Sequence, residues 1–84
     1  MKPDNVNSYM YLGITLNRLD DFESSCQAFE KALSLDDSDC MIFLNYAVVL
    51  FNNGFTPEAK QYFLTSEKLF METDEEDKEQ ELLD

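Results

Sequence analysis

The stretch Tyr9-Met10-Tyr11-Leu12-Gly13-Ile14-Thr15-Leu16 returns 34 residues later as Phe43-Leu44-Asn45-Tyr46-Ala47-Val48-Val49-Leu50. Tyr9 falls on Phe43, Leu12 on Tyr46, Gly13 on Ala47 and Leu16 on Leu50. The correspondence continues outward, with Asp20 on Gly54, Ser25 on Ala59, Phe29 on Phe63, Ala32 on Ser66 and Leu35 on Leu69. Each pair agrees in size or polarity where two packed helices need it. The small residues Gly13, Ala47, Ser25 and Ala59 allow helices to approach closely, and the aromatics Tyr9, Phe43, Phe29 and Phe63 fill the remaining space. Self-similarity at such a period marks a helical-repeat architecture, in which each unit is one supersecondary hairpin. The expected fold is all-α.

Four helices follow from the pattern. The first is expected from about Asn5 to Asn17, and the second from about Asp21 to Ser34, where Phe22, Cys26, Phe29 and Leu33 recur with helical spacing. Asp20 or Asp21 can cap the second helix and complement its positive end. The cluster Asp36-Asp37-Ser38-Asp39 interrupts the chain and supplies a cap for a third helix, about Asp39 to Asn52. Asn53-Gly54 reads as a stop with glycine at positive φ. Thr56-Pro57-Glu58 then reads as N-cap, proline at the first helical position and acid in the first turn of a fourth helix ending near Met71. The third helix is apolar almost all round, which predicts burial on most of its sides.

Charge and composition narrow the function. The net charge is −12, and residues 73–84 carry half of it, with 7 acidic and 1 basic side chains. That segment is expected to be a disordered tail or a solvated helix, since blocks of like charge repel. The balance disfavours nucleic acid and anionic membranes and favours basic partners. No apolar run has the length of a membrane helix, so direct membrane insertion is not expected. The two cysteines, Cys26 and Cys40, sit in apolar helical patterns and read as reduced thiols, not as a disulfide or metal pair. There is no histidine, no nucleophile–base pairing, no Gly-rich phosphate loop and no metal-ligand spacing. No catalytic residue, no metal site and no cofactor is therefore expected; the chain reads as a recognition module and not an enzyme.

A 34-residue period with large–large–small in its first helix and small–aromatic–small in its second resembles the tetratricopeptide (TPR) repeat family. The resemblance implies an α-solenoid of helix-turn-helix units and a protein–protein interaction scaffold. In its register, residues 1–5 are the end of a preceding repeat, 6–39 the first repeat, 40–72 the second and 73–84 an acidic extension. Pro3 stands where such repeats often end, so the chain reads as an excerpt from a longer array. An uncovered upstream surface with Tyr9, Tyr11 and Leu12 makes self-association possible.

The inner, concave face implied by the family comprises Asn7, Met10, Ile14 and Asn17 in the first repeat and Met41, Leu44, Asn45, Val48 and Asn52 in the second. TPR proteins that clamp a terminal carboxylate use lysine and asparagine there; Met10 and Ile14 stand in their place. An apolar groove cannot hold a carboxylate without an uncompensated charge. A hydrophobic or amphipathic segment suits it better, with Asn17, Asn45 and Asn52 available to hydrogen-bond a peptide backbone.

A narrower resemblance lies in Leu44-Asn45-Tyr46-Ala47-Val48-Val49-Leu50-Phe51-Asn52-Asn53-Gly54, in Leu19-Asp20-Asp21-Phe22 and in Ala32-Leu33-Ser34-Leu35-Asp36. These are similar to the last repeats of the Bardet–Biedl syndrome TPR subunits of the BBSome, over roughly residues 8–68. Phe55-Thr56-Pro57 departs from that pattern, and so does the acidic tail. This resemblance implies a cytoplasmic coat or adaptor subunit in ciliary membrane-protein trafficking, near the cilium base or centrosome. Its partners would be other complex subunits, cargo or pericentriolar proteins. The alternative is another intracellular TPR adaptor, associated with chaperones, the cell cycle or a transferase, that binds a hydrophobic or amphipathic peptide.

Overall fold

The computed structural model describes residues 4–83, with side chains described for residues 5–72. Every element within them is helical: α1 (Asp4–Arg18), α2 (Phe22–Leu35), α3 (Cys40–Asn52) and α4 (Thr56–Leu83). The helices form two hairpins, α1 with α2 and α3 with α4, and the second hairpin stacks on the first through contacts of α3 with both α1 and α2. The expected all-α helical-repeat fold is the one found.

Local chemistry accounts for the boundaries. Asp21 caps α2, its carboxylate accepting from the Ser24 amide at 3.2 Å. Asp39 caps α3 and accepts from the Met41 amide at 2.9 Å. Asp36 folds the connection between the hairpins, its Oδ1 accepting from the Ser38 amide at 2.9 Å and from the Ser38 hydroxyl at 2.6 Å. Both hairpin turns are built alike. Asp21 N–H donates to the Leu16 carbonyl at 2.9 Å, and 34 residues on Phe55 N–H donates to the Leu50 carbonyl at 2.9 Å. This long closing bond needs a left-handed residue before it, and Asp20 (φ 63°) and Gly54 (φ 90°) supply it.

Two boundaries differ from expectation. Helix α4 already includes Thr56, and the first intrahelical bond runs from the Ala59 amide to the Phe55 carbonyl at 2.9 Å. Phe55 therefore holds the cap position, and Thr56-Pro57 lie inside the first turn, where the missing proline N–H costs nothing. At the other end α4 continues past Met71 to Leu83. Residues 72–83 contain neither glycine nor proline, and Glu, Lys and Gln are good helix formers, so no local signal ends the helix. The side chains of the acidic segment lie outside the described residues.

The core sits where the hairpins meet. Phe29 and Ile42 are fully buried, with Val6, Met10, Ala32, Tyr46, Val49, Leu50 and Ala59 around them. Phe29 on α2 stacks on Tyr46 of α3 with ring centroids 5.1 Å apart, and Tyr46 in turn meets Tyr62 of α4 at 4.8 Å. One aromatic column thus joins three helices. The small positions act as expected. Ser25 is fully buried and its hydroxyl donates to the Gly13 carbonyl at 2.6 Å. Ser66 repeats the device in the second hairpin, donating to the Cys40 carbonyl at 3.0 Å. A buried hydroxyl satisfied in this way joins two helix backbones without an uncompensated polar atom.

Candidate protein-binding surface

The residues expected to line one inner face divide into three kinds. Asn7 on α1 and Met41 on α3 occupy equivalent positions and are both exposed, Met41 by 48%. Leu44, Val48 and Asn52 continue the exposed stripe along α3. Met10 is different: it is only 6% exposed and lies in the core. Ile14 is partly buried and packs against the same cluster. These two positions are covered because α3 lies across them, while their equivalents one repeat later, Leu44 and Val48, have no further helix of the described residues on top.

The asparagines are engaged inside the protein. Asn45 Nδ2 donates to the Met41 carbonyl at 2.9 Å and lies 3.6 Å from the Met10 sulfur. Asn53 Nδ2 donates to Asn17 Oδ1 at 3.0 Å and to the Val49 carbonyl at 2.8 Å, tying the end of α1 to the end of α3. Asn17 and Asn45 thus help to hold the repeats together before any peptide arrives. Asn52 is exposed at the end of α3.

Two apolar clefts lie at opposite ends of the stack. The upstream one, between α1 and α2, is lined by Tyr9, Leu12, Leu16, Ser24, Gln27, Ala28 and Lys31. The downstream one, between α3 and α4, has a volume of about 270 Å³ and is lined by Phe51, Ala59, Phe63 and Leu64 with Thr56, Lys60 and Glu67 at its rim. The most exposed large apolar side chains include Leu19 (71%), Tyr11 (62%) and Phe51 (57%). Neither Leu19 nor Phe51 is among the candidate binding residues expected from the sequence. The available signal was Leu19 itself, an apolar residue two positions before the acidic cap of α2.

Electrostatically the interior is built from neutral groups. Burial pushes the Cys26 thiol above its ordinary value, opposed by its hydrogen bond with Tyr46. Burial also pushes the Tyr46 hydroxyl well above its ordinary range, and the neighbouring Cys26 adds to the effect. Cys26 and Cys40 are free and partly buried. Among the described residues, no three His, Cys, Asp or Glu side chains gather as a metal site would require. No helix of the described residues is long and apolar enough to cross a membrane.

Stacked helical hairpins with internal polar ties and apolar outer faces define the chain as an all-α helical-repeat protein. In sequence it resembles the BBSome complex member BBS4: it is 42% identical to the Xenopus tropicalis protein over 50 residues, which are 60% of this chain and 10% of that protein. It is 38% identical to the Bos taurus protein and 37% identical to the Mus musculus protein, each over 60 residues, 71% of this chain and 12% of those proteins. The chain thus spans about a tenth of the length of the relatives it matches. No family model and no solved structure matches it.

Proposed function

We propose that the chain is a protein-binding TPR segment of a BBSome-type coat or adaptor subunit, with residues 6–39 and 40–72 as its repeat units and no catalytic role. The resemblance to BBS4 over the two hairpins supports this reading. Its partners are other subunits of such a complex, cargo or pericentriolar proteins, met in the cytoplasm near the ciliary base. The single structural observation that carries the binding role is the exposed stripe Met41, Leu44 and Val48 on α3, flanked by Asn7 and Asn52. An apolar stripe on a helix already held rigid by its neighbours suits an amphipathic or hydrophobic segment of a protein partner. The same stripe supports the second reading, an adaptor outside cilia that takes a hydrophobic or amphipathic peptide.

Affinity purification of the tagged chain from ciliated cells separates the two. Enrichment of BBSome subunits, reduced by Met41→Glu, is the expected result. Enrichment no greater than that of an unrelated helical protein, from a chain that circular dichroism shows to be folded, overturns the ciliary reading.

A further inference from the structure

Five contacts that join the hairpins form a rule that can be applied once more. Inside the molecule Phe29 meets Tyr46, Cys26 lies beside Tyr46, Phe22 stacks on Phe55, Met10 meets Asn45 and Asn17 accepts from Asn53. Moving the first member of each pair 34 residues forward gives Phe63, Lys60, Thr56, Leu44 and Phe51, all on the downstream face or its cleft. Moving the second member 34 residues back gives Leu12, Leu12, Asp21, Tyr11 and Leu19, at the upstream end. The resulting pairs are Phe63 with Leu12, Lys60 with Leu12, Thr56 with Asp21, Leu44 with Tyr11, and Phe51 with Leu19. Three join apolar side chains, among them Phe51 and Leu19. Thr56 can donate to Asp21, and the Lys60 stem can lie along Leu12. No pair sets like charges together.

We propose that the downstream face of one chain binds the upstream face of a second copy, repeating the internal hairpin–hairpin contact between molecules. The contact is heterologous, so it propagates head to tail instead of closing as a two-fold dimer. It is weaker than the internal one, because Phe22, Cys26 and Leu33 of the inner face are replaced by Thr56, Lys60 and Glu67 at its outer equivalent. The charge of −12 on each chain also opposes it, so added salt, which screens exposed charges, strengthens the association.

Sedimentation velocity on the 84-residue chain, from micromolar to millimolar concentration at low and high salt, tests the proposal. The sedimentation coefficient is expected to climb without a plateau at dimer, more steeply at high salt. Leu19→Asn and Phe51→Asn keep the net charge and alter side chains that are mostly in solvent, so the helical circular dichroism is retained. Each variant alone stays monomeric. Mixed, they yield a 1:1 complex and nothing larger, because one retains Phe51 and the other Leu19. A wild-type chain that stays monomeric throughout, a plateau at a two-fold dimer, or variants that still associate alone overturns the proposal. The contact shares Leu44 with the α3 stripe but uses neither Met41 nor Val48, so partner binding keeps its own test in Met41→Glu.

Discussion

The ring of Phe29 lies where a side chain at Gly13 would begin: a Cβ there would fall 2.7 Å from Phe29 Cε2 and 2.8 Å from Cδ2. The ring cannot move aside, since it is fully buried and stacked against Tyr46 on its way to α3. Gly13→Ala therefore sets two effects against each other. Alanine gains about 1 kcal/mol of helix propensity, and overpacking a filled core costs about 1–3 kcal/mol. The clash wins, with a net loss of up to about 2 kcal/mol. Urea denaturation followed by circular dichroism checks it; a more stable variant would show that Phe29 can give way.

The two hairpin turns predict opposite responses to substitution. Asp20 carries the left-handed φ of 63° on a residue with a side chain, whereas Gly54 carries a φ of 90° on glycine. Nothing lies within 4 Å of a Cβ at Gly54, so the backbone angle alone sets its requirement. Gly54→Ala is expected to lose about 1–2 kcal/mol, the cost of the left-handed conformation for an L-residue. Asp20→Gly relieves the same strain at the equivalent turn and is expected to gain up to about 1 kcal/mol. Thermal melts of both variants beside wild type measure the difference. Equal shifts in one direction would contradict the account.

The repeat was legible because both hairpins need the same sizes at the same places: Gly13 and Ala47, Ser25 and Ala59, Phe29 and Phe63. So were carboxylate caps for α2 and α3, open in the sequence between Asp20 and Asp21 and within the cluster Asp36-Asp37-Ser38-Asp39, and the glycine stop at Gly54, each dictated within a few residues of chain. Position in the stack was less legible. Met10 and Leu44 are equivalent by the 34-residue offset, yet they are 6% and 37% exposed, because one has α3 over it and the other has no such helix among the described residues. The offset says which positions correspond; it does not say which neighbour covers them. Asn17 was read as a peptide ligand for the same reason, and Asn53, a turn residue of the next hairpin, claims it instead. The left-handed Asp20 was hidden behind its capping neighbour Asp21, and the continuation of α4 behind the charge of its sequence.

The Cys26–Tyr46 pair gives the fold an alkaline dependence. Both groups are neutral when protonated, and burial raises both above their ordinary values of 9.0 and 10.0. The unfolded chain loses these protons first, so their contribution is fully present below the unfolded values and is lost as pH rises through the folded ones. Stability should hold level from neutral pH to about pH 8 and fall increasingly above 9.0 and 10.0. Tyr46→Phe keeps the ring and its stacking but removes the hydroxyl, and Cys26→Val removes the thiol. Together they should flatten the alkaline slope of urea-derived stability relative to wild type. Parallel slopes would mean that the pair does not carry the dependence.

Met10 and Met41, both expected on one binding face, should behave as different kinds of residue. Met10→Ala empties space in the core beneath α3 and is expected to cost about 2–4 kcal/mol, the range for deleting a buried long side chain. Any loss of partner binding by that variant follows from unfolding and should disappear at low temperature, where the remaining folded fraction binds normally. Met41→Glu changes a half-exposed side chain in the first turn of α3, a turn that carries no acidic residue. The helix N-terminus tolerates the new carboxylate, so stability should stay within about 0.5 kcal/mol. Binding of an apolar partner segment should nevertheless fall, because the segment would have to strip water from a charge lying in its path. Melting temperature and affinity measured on the two variants separate the cases. If Met41→Glu binds as wild type does while remaining folded, the partner does not use the α3 stripe.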